Sequence, residues 1–212
     1  SMIEIGFFIG HELQAEQARL LIASCIRQGA GQPHAVVASH VILTEGLEGA
    51  IIHQVDIPKH LRSIPFVDKM LGAAAFEQLQ PGPFLWMDVD SCFTASLPRF
   101  SSLRPQLNPV DVCNVGLPVG SSKTPLWEMV GKRFSVDPCT FPHLTTTVSR
   151  QAIYPYWNVG MVLSEPSSRL FSRTAEFLRE LLVDLQVTRY LQSHMLQQIF
   201  FHQVVFAHVV LE

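Results

Sequence analysis

Apolar positions along the chain switch between two periods, and the switches mark out its elements. Ile3 to Ile9 is a short apolar run containing Gly6 and closed by Gly10, which predicts a buried first strand. From His11 to Gln28 the apolar residues Leu13, Ala18, Leu21, Ile22, Cys25 and Ile26 recur at helical spacing, and Gly29 and Gly31 supply the stop. His34 to Leu43 and Ala50 to Ile57 are apolar and β-branched enough for two more strands, separated by Thr44-Glu45-Gly46. Pro65 to Leu79 returns to a helical stripe through Phe66, Met70, Ala73, Ala74 and Leu79. The turn Gln80-Pro81-Gly82-Pro83 then leads into the apolar strand that begins at Phe84. This order of strand, helix, strand, strand, helix, strand predicts an α/β fold with a mixed, mostly parallel sheet flanked by helices.

The second half is less regular. Pro98 to Pro155 is rich in Pro, Ser, Thr and Gly and reads as loops and short strands bordering a site. Tyr154 to Leu163 predicts an aromatic-to-apolar strand, and Ser168 to Leu185 an amphipathic helix with Arg169, Arg173, Glu176, Arg179 and Glu180 outside. A helix from Tyr190 to about His202 and a strand over Val204 to Leu211 follow. Without an internal repeat or a linker, residues 1–212 read as a single domain.

Composition agrees with that picture. A chain of 212 residues holds a full core, and its charged fraction of 16% argues against disorder. A net charge of −3 offers nucleic acid no electrostatic footing. Mean hydropathy is positive at +0.23, yet no apolar run reaches the ~18–20 residues of a membrane span. No charged-then-apolar leader precedes Ile3, and Ser1-Met2 reads as a residue left ahead of a native start. Cys25, Cys92, Cys113 and Cys139 form no Cys-x-x-Cys pair, so free thiols in a reducing compartment, the cytoplasm, are expected.

The chemistry concentrates where the apolar run Phe84-Leu85-Trp86-Met87 ends in Asp88-Val89-Asp90. In an extended strand the two carboxylates point the same way. Hard anionic oxygens at a strand's carboxyl end suit Mn²⁺ or Mg²⁺, and such an ion keeps positions for substrate phosphate. Lys69, one helix earlier, is placed to meet a phosphate as a point charge. Asn158, inside an apolar strand, needs hydrogen-bond partners from the backbone or from a ligand hydroxyl, and Gly160 permits close approach by a ligand or another strand. His194 and His202 share a helix face without a neighbouring acid, a poor second metal site.

Four segments together resemble the GT-A-fold glycosyltransferases, in particular the family 8 group that includes glycogenin and bacterial galactosyltransferases. Ile5-Gly6-Phe7-Phe8-Ile9-Gly10 with the helix that follows is similar to the first nucleotide-binding strand and helix of that group. Phe66-Val67-Asp68-Lys69-Met70-Leu71 resembles the helix carrying a basic residue near the donor diphosphate. Phe84 to Asp90 resembles the metal-binding strand, and Tyr156 to Leu163 the aromatic-Asn-x-Gly strand beside the donor sugar. The resemblance implies a nucleotide-diphosphate sugar as donor and an acceptor of unknown identity. It implies substrate contacts from Gly10, Lys69, Asp88, Asn158 and Gly160. Asp88, Asp90 and His208 would hold the metal, and Asn158 and Gln192 would act in transfer.

Two departures qualify what transfer to expect. Where the family has an acidic-Gln pair on a late helix, this sequence reads Leu191-Gln192-Ser193-His194. The family's third metal ligand is a His well beyond that helix, and here His208 takes the place close to it, with Glu212 soon after. Donor binding with slow or absent transfer is therefore the expectation. Two alternatives stand beside it: a nucleotide-sugar-binding module without transfer, and a Mg²⁺-dependent haloacid-dehalogenase-type phosphatase using the first Asp as nucleophile. The phosphatase reading lacks its later acidic pair and has Cys92 where Thr or Val is expected.

Overall fold

A computed structural model describes residues 2–98, 104–111 and 115–212. Ser1 and Cys113 lie outside the described residues. The first half runs β1 (Glu4–Ile9), α1 (Ala15–Gln28), β2 (Gln32–Ala38), β3 (Ile51–Val55), α2 (Val67–Leu79) and β4 (Phe84–Met87). That is the order the sequence predicts. The second half runs β5 (Gln106–Pro109), α3 (Pro125–Gly131), β6 (Leu144–Thr145), β7 (Ala152–Ile153), β8 (Trp157–Ser164), α4 (Leu170–Leu182), α5 (Leu185–Ser193) and α6 (Met195–Leu211).

Six strands form a mixed sheet in the order β3-β2-β1-β4-β8-β5. β3, β2, β1 and β4 are mutually parallel, whereas β8 runs antiparallel to both β4 and β5. Strand alternation sorts the core into two faces. Ile5, Phe7 and Ile9 of β1 join Leu21, Ile22 and Cys25 of α1 on one side. Phe8 joins α2, α4 and α6 on the other. Gly6 shares that second face, and a Cβ there would lie 2.4 Å from the Phe76 ring, so glycine is what lets α2 seat Phe76 directly on β1.

α4 begins without a cap of its own, at Arg169 in the left-handed region with φ 51°. The buried Glu77 of α2 substitutes for one. Its carboxylate accepts from Phe171 N at 3.2 Å, Ser172 N at 2.8 Å and the Ser172 hydroxyl at 2.6 Å. Burial pushes the Glu77 carboxyl pKa up, and those same hydrogen bonds oppose the shift.

Three expectations are corrected. The helix expected from Tyr190 to His202 is two helices, broken at His194, and α5 is capped by the Asp184 carboxylate accepting from Gln186 N at 2.8 Å. Val204 to Leu211 is no strand but the end of α6, whose residues Phe201 to Val209 are buried without a break. Its β-branched residues favour a strand locally, yet packing against α3, α4 and β8 on all sides decides for the helix. Finally, β4 stops at Met87, so Asp88 and Asp90 lie on the turn after the strand rather than within it. Among the described residues no helix is long and apolar enough to cross a membrane. Cys25, Cys92 and Cys139 are free thiols.

Candidate functional site

The chain leaves β1 toward β2 and β3 on one side, and leaves β4 toward β8 and β5 on the other. Between the carboxyl ends of β1 and β4 the strand order therefore reverses, the position at which open α/β sheets receive ligands. A cleft of about 650 Å³ opens there. Gly10, His11 and Gln14 line it from the end of β1, and Asp88 and Asp90 from the end of β4. Arg62, Asp68 and Lys69 line it from α2 and its approach.

The turn fixes Asp88 through its backbone. Its N–H donates to Gly160 O at 2.8 Å, and its carbonyl accepts from Ser91 N at 3.1 Å. Both carboxylates thus reach the same cleft because a turn folds them there, and the alternation of an extended strand is not the cause. Asp88 Oδ1 accepts from Lys69 Nζ at 2.7 Å. With its side chain only 12% exposed, Lys69 is not a solvated helix lysine. Its ammonium also sits 5.0 Å from the centre of the Phe66 ring.

Asp88 Oδ2 lies against Gly160, where a Cβ would come within 2.5 Å of it and within 2.9 Å of Asn158 Oδ1. Gly160 N donates to that same Asn158 oxygen at 2.6 Å. Asn158 is exposed, and its Oδ1 already accepts from its own strand, so no buried ligand hydroxyl is needed to account for that oxygen. Gly10 is likewise a close-approach position: its N–H donates to Gln14 Oε1 at 2.8 Å, and a Cβ would lie 2.8 Å from Asp68 Oδ2.

Gly10, Lys69, Asp88 and Asp90 are thus brought together, with Asn158 and Gly160 against Asp88. His208 and Gln192 are not. Gln192 is exposed on α5 and does not line the cleft. His208 is buried on α6 and lines a different cavity, beside Trp127 and Phe134. The α6 histidine near the cleft is His202, whose ring stands 5.2 Å from Phe66. Burial first, and then the charge of Lys69, hold its pKa well below the ordinary imidazole value.

Sequence reasoning passed over Asp68, whose Oδ1 accepts from Lys69 N at 2.8 Å. Burial raises its carboxyl pKa, opposed by backbone hydrogen bonds and by His40 and Lys69. An acid in the first turn of α2, adjacent to the basic residue already singled out, was the available signal. Arg62 and His40 lacked even that, since they come from irregular segments.

The donor set suits a hard divalent cation. Asp88 and Asp90 supply carboxylate oxygens from one turn, and Asp68 of α2 lines the same cleft. Among the described residues no group of three or more His, Cys, Asp or Glu side chains converges as a metal cage. A cation held here would complete its shell with water and substrate oxygens, the usual habit of Mg²⁺. Compared with known protein families, the chain matches no family model, and no curated protein matches it in sequence.

Proposed function

We propose that this chain is a GT-A-type domain, similar to the family 8 glycosyltransferases, that binds a nucleotide-diphosphate sugar with Mn²⁺ or Mg²⁺. The observation that carries the reading is the meeting of Lys69, Asp88 and Asp90 at the point where the strand order reverses. Asp88 and Asp90 hold the cation, which when bound offsets the negative charge developing on a departing nucleoside diphosphate. Lys69 and Arg62 supply fixed positive charge to the phosphates. Gly10 lets the nucleotide approach the end of β1, while Gly160 and Asn158 wall the side of Asp88 on which a sugar would lie.

Gln192 stands outside the cleft, and His208 faces a separate cavity. Those placements favour a second reading, a module that binds the nucleotide sugar and does not pass the sugar on. One experiment addresses both. Titration of UDP, GDP, ADP and CDP by calorimetry, with Mn²⁺ and with EDTA, should reveal metal-dependent binding that Asp88→Asn and Asp90→Asn each abolish. Mass spectrometry of the sugar nucleotides then reads release or transfer. Equal nucleotide affinity in Mn²⁺ and in EDTA would remove the site from consideration.

A further inference from the structure

Three titratable side chains that the cleft does not use meet across three strands of the sheet. Glu4 of β1, His34 of β2 and His53 of β3 share the face that α2 covers, and the Phe76 ring stands 5.3 Å from one imidazole and 6.3 Å from the other. His34 is buried and His53 half-buried. Glu4 Oε2 lies 2.5 Å from His34 Nε2, and His34 Nδ1 lies 2.8 Å from His53 Nε2. The two imidazole planes differ by only 7° with their centres 5.2 Å apart, so the rings lie edge to edge in line and the bridging nitrogens aim at one another. A metal ion held by both would need lone pairs that converge on it at ~2.0–2.1 Å each, and a straight gap of 2.8 Å has no room for one. The bridge is a hydrogen bond.

The number of protons on this chain decides whether the bridge can exist. A carboxylate only accepts, so His34 Nε2 carries a hydrogen. One proton between Nδ1 and Nε2 completes the chain with both rings neutral. A further proton can enter at His53 Nδ1, because the bridging proton then passes to His34, where Glu4 offsets the charge. One more cannot be accommodated. Both facing nitrogens would carry hydrogens, neither could accept, and two imidazolium rings would stand in line at contact distance.

The strand that this bridge secures has little else to hold it. β3 is an edge strand bonded to β2 alone, and of its five residues only His53 and Val55 are even half-buried. Burial first, and then the charge of His34, lower the His53 pKa from its ordinary 6.5. No other charge is brought to His53 among the described residues, and the buried acid of α2, Glu77, is occupied at the start of α4. A released His53 regains the ordinary value, so between the lowered value and 6.5 the open form binds more protons than the closed one. The bridge is therefore secure above pH 6.5 and weakens as the pH falls below it.

We infer that Glu4, His34 and His53 form a proton-operated latch on the edge of the sheet, closed by one bridging proton and opened when both rings are charged, so that β3 comes away from β2 in acid. Amide hydrogen exchange on the whole chain, corrected for its intrinsic pH dependence, tests this from about pH 8 to about pH 5. Protection of the β3 amides that bond to β2 should be constant above pH 6.5 and then fall by up to about tenfold per pH unit, while the amides of β1 and β4 keep theirs. His53→Gln can still donate to His34 or accept from it but does not titrate, so it should remove the fall. His53→Phe, which keeps a ring beside Phe76 and carries no charge, should remove it too and covers the case in which the glutamine variant fails to fold. Constant protection of β3 in the wild type across that range, or the same fall in either folded variant, would overturn the proposal.

Discussion

Gly160→Ala isolates the geometry of the cleft from its charge, because it adds one methyl group and removes none of the functional side chains. The new Cβ would stand 2.5 Å from Asp88 Oδ2, where ordinary contact begins near 3.4 Å, so the carboxylate must retreat by 3.4 − 2.5, about 0.9 Å. The backbone cannot make that move, since Asp88 N is tied to Gly160 O at 2.8 Å. The side chain must therefore turn away from its rotamer, at a cost of about 0.5–1.5 kcal/mol. A turn of that size either breaks the 2.7 Å bond to Lys69 or carries Oδ2 off the cleft wall. Misplacing a functional group by about 1 Å can cost ~100-fold, or ~2.8 kcal/mol on a binding constant. The fold loses little by comparison, because the Lys69–Asp88 pair is exposed on the Asp side, where such pairs are worth about 1 kcal/mol or less. Calorimetric titration of a nucleoside diphosphate with Mn²⁺ should show the ~100-fold loss, with the melting transition still cooperative. A folded alanine variant that binds like the wild type would refute the assignment of Asp88 as a ligand to the bound metal.

Three more expectations concern other parts of the chain. Lys69→Ala should weaken binding of a nucleoside diphosphate and leave binding of the nucleoside unchanged; identical titrations would confine Lys69 to its pairing with Asp88. Glu77→Ala leaves two backbone N–H groups and a rotatable hydroxyl at the start of α4 without their acceptor, and at about 1–3 kcal/mol for each of the two N–H groups the loss should be roughly 2–6 kcal/mol by urea denaturation. Burial raises the pKa of both Glu77 and Asp68 above their ordinary 4.5 and 3.8, so between those values and the folded ones the native state binds more protons than the unfolded chain. Stability from these two groups is therefore greatest below their unfolded pKa values, declines as pH rises through the raised folded ones, and is flat beyond. Glu77→Gln should reduce that decline in denaturation curves taken from pH 4 to pH 7, and an unchanged slope would contradict the sign.

The first half of the fold was legible because its signals are local. α1 carries a clean helical period, β1 is a short apolar run closed by Gly10, α2 is bracketed by Pro65 and the turn at Gln80, and the apolar run into Asp88 is bounded by Pro81-Gly82-Pro83. α6 was not legible for the opposite reason. A helix buried on every side has no polar face, so Val204 to Leu211 shows no helical period, and its valines mimic a strand. That misreading also misplaced His208, since a strand there could have pointed to the end of the sheet that carries Asp88. Lys69 could be found from its position one helix before the acidic pair. Glu77 could not, because the groups it caps lie 94 and 95 residues further on.

The pairing of Lys69 with Asp88 has a consequence for how metal and substrate would enter. Asp68, Asp88 and Asp90 bring three carboxylates to the cleft, and Arg62 and Lys69 bring two fixed cations. A divalent ion arriving alone must compete with the Lys69 ammonium for Asp88, only 2.7 Å away. A diphosphate arriving alone meets the carboxylates. Arriving together, the ion takes Asp88 and Asp90 while Lys69 turns its three N–H donors to phosphate, so each component removes the repulsion that opposes the other. On the proposed reading the two should therefore bind with positive coupling, each raising the affinity of the other by one and the same factor. Lys69→Ala should then tighten the binding of Mn²⁺ alone, by removing its competitor, while weakening the diphosphate, so that the coupling factor falls. Paired calorimetric titrations of wild type and variant measure all four constants. Weaker binding of Mn²⁺ alone by the alanine variant would show that Lys69 positions Asp88 for the metal and does not compete with it.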